Sequence, residues 1–235
     1  MVTITNTKDL SKSGKVKIFA YGKPGTKKTY AIHTLPKPVI ISAEGGLLSL
    51  REFDIPVIEV RSLEDVYEAC EMIEKSNFES VAIDSISEIA ALLLEKEEDT
   101  AKAAVAKKDA GKTHDGRAPY NELLKKITKL VRKFRDLPMH VYMIAKAEKV
   151  TIKDEGKIKW GPSLPGSKLG DALSHEFDEV FAARMELNKE GQPCYFYMTL
   201  EDGEWSARDR SGVLARYEQQ DLTMIINKIM EARGE

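Results

Sequence analysis

The chain has 235 residues, 36 Lys and Arg against 38 Asp and Glu, a formal net charge of −2, and 42% hydrophobic residues. This length suits a single α/β domain with one large core, and no apolar stretch approaches the roughly 18 residues needed to span a bilayer, which argues against membrane insertion. Cys70 and Cys194 lie far apart without CxxC spacing or histidine neighbours, so a disulfide scaffold and a zinc site are both unsupported.

Residues 1–15 lack periodicity and read as a lead-in. With no apolar core behind a basic start they are not a secretory signal, and cytoplasmic residence is expected. Val16, Ile18, Phe19 and Tyr21 then read as a buried strand ending in the loop Gly22-Lys23-Pro24-Gly25-Thr26-Lys27-Lys28-Thr29, with a helix expected from Tyr30 onward. Strand, loop and helix in that order make a P-loop, which aims backbone N–H groups and the positive end of a helix at phosphate oxygens. Gly22 and Gly25 supply the turn, Lys28 stands where a lysine reaches the β- and γ-phosphates, and Thr29 stands where a hydroxyl holds Mg²⁺. The cofactor-binding candidates are therefore Gly22 to Tyr30, with ATP and Mg²⁺ as the expected cofactors. The motif G-x-x-x-x-G-K-S/T departs at its second glycine, where Lys27 carries a Cβ and a charge into a crowded turn. The change bears on fast hydrolysis more than on nucleotide binding.

Pro36 and Pro38 precede a second strand at 39–43, which delivers Glu44 and Gly45-Gly46 at its carboxyl end, where functional residues gather in open α/β sheets. A third strand is expected at 56–60, and Ser62 to Asp65 reads as the capped start of a helix with Val66, Ala69, Cys70 and Ile73 on one face. Val81-Ala82-Ile83 runs into Asp84, an acid placed to reach Mg²⁺. A helix at 86–94 gives way to residues 95–119, read as a mobile insertion. At 120–136 a second helix carries Leu123, Leu124, Ile127, Leu130, Val131 and Phe134 on one stripe, with most of its lysines and arginines outside it. Met139 to Ala145 is another strand, ending at Lys146, and 147–169 reads as a long Gly/Pro/Lys-rich loop. A helix at 170–176, a hairpin from 178–187 and 194–200, a charged loop from Trp205 to Gly212 and an amphipathic helix within a C-terminal segment, 213–235, complete a single domain over 1–235. His33, His114, His140 and His175 are scattered singly and receive no site.

The small net charge hides a split. Residues 101–170 hold 17 Lys and Arg against 7 Asp and Glu, a local net of +10. Such asymmetry points to an anionic partner, with nucleic acid first. The DNA-binding candidates are Lys107, Lys108, Lys112 and Arg117 in one expected loop, and Lys149, Lys153, Lys157, Lys159 and Lys168 in the other. Trp160 is available there to stack on a base. In the strand-end crevice Glu44 can orient or deprotonate water, Asp84 and Thr29 can share Mg²⁺, and Lys28 can offset developing charge, so Glu44 and Lys28 are the catalytic candidates.

The glycine loop, the strand ending in Ala-Glu-Gly-Gly, the strand ending in Ile-Asp-Ser and the strand ending near Lys146 before a long loop together resemble a RecA-core ATPase. More narrowly, the chain resembles phage AAA-family nucleotide-binding proteins of the Sak group, the RecA-like single-strand annealing recombinases, over roughly residues 15–212. The resemblance implies a mostly parallel central sheet flanked by helices with a C-terminal antiparallel hairpin. It also implies Glu44 as the water-activating base, Asp84 as the Mg²⁺ acid, Ser85 as the small polar residue after it, and single-stranded DNA contacts from 95–119 and 147–169. RecA-like sites lie between protomers, so a homo-oligomer, ring or filament, is implied, with Lys146, Arg208 and Arg210 as trans-acting candidates. The Ala-Arg-Asp-Arg stretch resembles a late feature of the phage family. A single-strand-binding or replication protein is a candidate partner, and for a phage protein the compartment is the host cytoplasm.

Two other readings stay open. A small-molecule or nucleotide phosphotransferase would need an arginine-bearing lid, whereas the expected loops are richer in lysine. A nucleotide-dependent DNA-binding module without turnover shares the fold and is favoured by Lys27.

Overall fold

The apolar runs after residue 15 are buried on both faces, as parallel strands covered by helices must be. The computed structural model describes residues 4, 6, 14–107, 116–152, 157–166 and 168–234. In chain order the strands are β1 (Lys17–Gly22), β2 (Pro38–Ser42), β3 (Val57–Glu59), β4 (Ser80–Asp84), β5 (His140–Ile152), β6 (Lys157–Ser163), β7 (Glu179–Leu187), β8 (Pro193–Met198), β9 (Arg208–Asp209) and β10 (Tyr217–Gln219). The α-helices are α1 (Leu63–Glu74), α2 (Ile86–Lys107), α3 (Ala118–Arg135), α4 (Leu169–Ser174) and α5 (Leu222–Arg233).

The strands lie in the order β10-β8-β7-β1-β5-β4-β2-β3, with β6 on β5 and β9 on β7. From β3 to β7 neighbours are parallel, while β7–β8 and β8–β10 are antiparallel. This is the mostly parallel, helix-flanked α/β architecture expected above, including its C-terminal antiparallel hairpin. Register sets the site: Gly22 pairs with Lys146, and Asp84 pairs with both Ser42 and Ile144, so four strand ends share one edge.

Each sheet face carries its own core. Phe19, Tyr21, Ile41, Val81, Ile83 and Met143 pack under α1, α2, α3 and α4, which bring Ile73, Ile89, Ile127 and Leu173. On the other face Ile18, Ala20, Ile40, Tyr142 and Phe181 meet Ile32, Leu50 and α5. Leu222, Ile225, Ile226 and Ile229 of α5 are buried there, each contributing about 1.5–3 kcal/mol. Asp221 caps α5 by accepting the Met224 N–H, and Ser62 with Asp65 forms a reciprocal capping box on α1. Cys70 is buried as an inert thiol, while Cys194 is exposed at the start of β8.

Three sequence expectations change. The helix expected after Thr29 is a single 3-10 stretch, Tyr30–Thr34. Pro36 forces Leu35 into extended backbone, at φ −73° and ψ 147°, leaving no room for an α-helix. Residues 95–107, expected to be mobile, continue α2, an Ala-, Lys- and Glu-rich run of strong helix formers tied down by Lys96–Glu64 and Lys126–Glu97 ion pairs. The long loop at 147–169 is largely an antiparallel hairpin, with β5 running on to Ile152 and pairing with β6 from Lys146↔Ser163 to Ile152↔Lys157. Gly170 lets α4 press against the root of β6, because a Cβ there would sit 2.6 Å from the Pro162 carbonyl oxygen.

Candidate active site

At the end of β1 the chain must turn against β7. A Cβ on Gly22 would lie 2.6 Å from the Ala183 carbonyl oxygen and 2.8 Å from Thr26 Oγ1, so only glycine fits. The loop then uses left-handed backbone at Gly25, φ +79°, and at Lys27, φ +58°. The second P-loop glycine is absent at the position where glycine would be least strained. Lys27 pays that strain while its ammonium points out of the loop, 4.1 Å from the Tyr195 ring centroid and 5.3 Å from that of Tyr30. Its charge therefore stays out of the phosphate cradle.

Lys28 curls back over the loop, donating to the Gly22 and Lys23 carbonyls at 2.8 and 3.0 Å. Burial lowers its pKa to about 8, against the pull of Asp84 and Glu44. Thr29 Oγ1 donates to Asp84 Oδ2 at 2.6 Å. Burial raises the Asp84 pKa, and the Thr29 bond and Lys28 oppose the shift. Next to Asp84, Ser85 Oγ donates to Glu44 Oε1 at 2.6 Å. The Lys146 ammonium bridges Glu44, at 3.2 Å, and Glu88, at 2.8 Å. Ser87 Oγ locks the root of the hairpin by accepting the Lys146 N–H and donating to the Ser163 carbonyl.

Gly22, Lys27, Lys28, Thr29, Glu44, Asp84, Ser85 and Lys146 line one cleft of about 400 Å³ together with Pro24, Gly25, Thr26, Tyr30, Gly46 and Ser49. Of the sequence candidates, Gly22, Pro24 to Tyr30, Glu44 and Asp84 come together in this cleft, and Lys23 does not. Its ammonium leaves the cleft and lies 4.1 Å from the Trp160 ring centroid. The loop also rests on residues that no local motif marks. Tyr142 Oη, paired with Tyr197 Oη at 2.7 Å, donates to the Lys28 carbonyl, and Gln220 Nε2 donates to the Thr26 carbonyl at 2.9 Å across 194 residues of chain.

The fit to the expected cofactors follows from the donors present. Gly22 leaves the cradle open, Lys28 is held only by neutral oxygens, and the Thr29 and Asp84 oxygens converge as hard donors suited to Mg²⁺, which keeps several waters and needs few protein ligands. Among the described residues there is no cluster of three or more His, Cys, Asp or Glu able to hold another metal.

Other candidates fare differently. Lys146, a trans-acting candidate, is bound inside its own chain's cleft. Arg208 is another correction: its guanidinium donates to the Ser174 and Phe177 carbonyls, closing the end of α4, and does not face outward. Arg210 is half-exposed beside Asp178 near the opposite edge of the sheet. Trp160 stacks on Trp205 with centroids 5.1 Å apart, and Trp205 stacks on Tyr21, so Trp160 anchors the hairpin to the body. Lys159 is mostly buried and paired with Glu201. Lys149 and Lys168 are exposed, Arg117 is exposed at the start of α3, and the backbones of Lys107 and Lys157 close α2 and open β6. Lys108, Lys112 and Lys153 lie outside the described residues.

A glycine loop closing a buried central strand, with a lysine, a hydroxyl and two strand-end acids around it, defines an α/β protein of the P-loop nucleotide-binding class. Residues 14–211 match the model of a family described as an AAA domain, and the chain belongs to that family. No curated protein sequence matches the chain. Among solved structures, a KaiC-like protein of the hyperthermophilic archaeon Pyrococcus horikoshii OT3 is similar over 78% of this chain and 77% of that one, at 14% identity and a TM-score of 0.47. No helix among the described residues is long and apolar enough to cross a membrane.

Proposed function

We propose that this chain is a Mg²⁺-dependent ATPase that acts on single-stranded DNA as a homo-oligomer, in annealing or strand pairing. The observation that carries the ATPase reading is the meeting of Lys28, the Thr29–Asp84 pair and Glu44 in one cleft. In this reading Lys28 exchanges the loop carbonyls for phosphate oxygens, and Thr29 and Asp84 hold the metal. Glu44 takes the proton of the attacking water while Ser85 and Lys146 fix its carboxylate. Mg²⁺, when bound, offsets charge on the phosphate oxygens. Among the described residues lining the cleft there is no arginine, which speaks against a phosphotransferase built around a second phosphate site.

Support for DNA comes from connectivity. The strand that brings Lys146 to Glu44 continues into the β5–β6 hairpin, which carries exposed Lys149, so an anion on the hairpin is linked to the Glu44 carboxylate through Lys146. Arg210, exposed far from its own cleft, is the remaining trans-acting candidate. The test is phosphate release from MgATP with and without a single-stranded oligonucleotide, at two salt concentrations. Expected is turnover stimulated by DNA and weakened by salt. Turnover indifferent to DNA removes the DNA reading, and nucleotide binding without turnover favours a non-hydrolysing module.

A further inference from the structure

Among the described residues that line the cleft, Tyr30 supplies the one aromatic ring. Its residue is 37% exposed, and it follows directly on the Lys28-Thr29 pair. The ring does not stand alone. His33 packs on it with centroids 4.5 Å apart, and Phe53 stacks on His33 at 4.3 Å and 21°. His33 Nδ1 and the Tyr30 carbonyl lie 2.5 Å apart, a contact that holds Nδ1 as the donor and fixes the imidazole against both rings. Phe53 is itself packed against the core on that face of the sheet. Lys27 Nζ, 5.3 Å from the Tyr30 centroid, adds a cation beside the same ring. Tyr30 also meets Phe53 edge-on, with centroids 6.0 Å apart, so the three rings form a triangular cluster that backs Tyr30 and leaves its ring partly open to the cleft.

In the function proposed above Lys28 and Thr29 hold the phosphates of a nucleoside triphosphate, and Tyr30, the next residue in the chain, is the one aromatic ring among the described residues lining the same cleft, within reach of the base. Resting on the nucleotide-binding reading above, we infer that Tyr30, stiffened by His33 and Phe53, is the platform on which the base stacks. Every base has a π-face, and stacking alone reads none of its edges. No Asn, Gln or Arg is among the described residues that line the cleft, and its two acids, Glu44 and Asp84, are engaged by Ser85 and Thr29. Tyr30 therefore gives affinity for the base with little discrimination between adenine and guanine.

The experiment is calorimetric titration of the whole chain, with Mg²⁺, by ATP, GTP and inorganic tripolyphosphate, for the parent, Tyr30→Phe and Tyr30→Leu. Stacking contributions of the usual size predict that Tyr30→Leu loses about 5- to 150-fold in ATP and GTP affinity alike, keeps tripolyphosphate affinity, and that Tyr30→Phe binds like the parent. ATP binding by Tyr30→Leu at parental strength, or equal losses for ATP and tripolyphosphate, would overturn the platform while leaving the P-loop reading intact. A parent that prefers ATP to GTP by more than about tenfold would overturn the stacking-only account. A parent that binds neither ATP nor tripolyphosphate would overturn the nucleotide reading itself, and the platform with it.

Discussion

In the strand-end cleft Lys28 is held by two backbone carbonyls, whereas on α3 all the basic side chains but exposed Lys129 are held by carboxylates: Lys125 by Glu122, Lys126 by Glu97, Arg132 and Arg135 by Glu176, and Lys133 by Glu71. Both regions are rich in lysine, and α3 contributes much of the +10 counted over 101–170. An incoming phosphate can replace a neutral carbonyl at Lys28 and gain a full ion pair. At α3 it would compete with a charge already present, and exposed pairs of that kind are worth only about 0–1 kcal/mol to the fold. A charge count therefore overstates α3 as an anion site and understates a single lysine in a glycine loop.

The largest test of this contrast is Lys28→Ala against Lys125→Ala. The first should lower ATP affinity by on the order of 10²-fold or more, the cost of losing a charge-assisted contact in a partly buried site, and the second should leave it unchanged. Equal effects in a binding titration would erase the distinction. Glu44→Gln comes next: it should retain nucleotide affinity and slow hydrolysis by on the order of 10²-fold, the scale of general-base loss. Parental turnover in that variant would remove Glu44 from the chemistry.

Trp160→Ala asks whether the hairpin aromatic serves the fold or the ligand. Since Trp160 packs on Trp205 and against the Lys23 ammonium and is only partly buried, the expected loss is about 1–3 kcal/mol of stability, less than the 3–5 of a fully buried ring. Single-strand affinity per folded molecule should not move. Lost affinity without a lower melting temperature would restore Trp160 as a base-stacking residue.

The pH dependence of nucleotide binding gives a smaller, graded effect. Lys28 is charged below its pKa of about 8, so ATP affinity should fall as pH rises through that value. The fold responds with the opposite sign. Between about 8 and the ordinary 10.5 an unfolded chain keeps a proton that the folded one has released, so the burial penalty on Lys28 is relieved and stability rises with pH across that window. A binding profile flat from pH 7 to 9.5 would argue that Lys28 does not meet the phosphates.

The smallest effect is expected for Lys27→Gly. Relief of left-handed backbone, about 1–2 kcal/mol, is offset by the lost contact with Tyr195 and by the greater freedom of glycine when unfolded. Thermal unfolding should shift little, and ATP affinity should persist. A large loss of affinity would mean that the Lys27 charge reaches the nucleotide after all.

Much of the site could be read in the sequence because its elements are local. Apolar runs of strand length that end in Gly22, Glu44, Asp84 and Lys146 signal buried strands, and buried parallel strands deliver their carboxyl ends to one edge. The glycine loop needs only its own residues to turn. Pro36, a local breaker, cuts the helix after Thr29 to one 3-10 stretch, which apolar periodicity does not show. Tertiary structure alone decided the rest. The segment at 147–169 is rich in Gly, Pro and Lys yet pairs as a hairpin because Trp160 finds Trp205, a partner 45 residues further along the chain. Lys146 is claimed by Glu44 and Glu88, Arg208 by the end of α4, and the P-loop by Gln220. Each of these pairings joins residues distant in sequence. Composition and spacing encode which side chains will be buried or charged, but which partner each one meets is set only when strand register brings the two into contact.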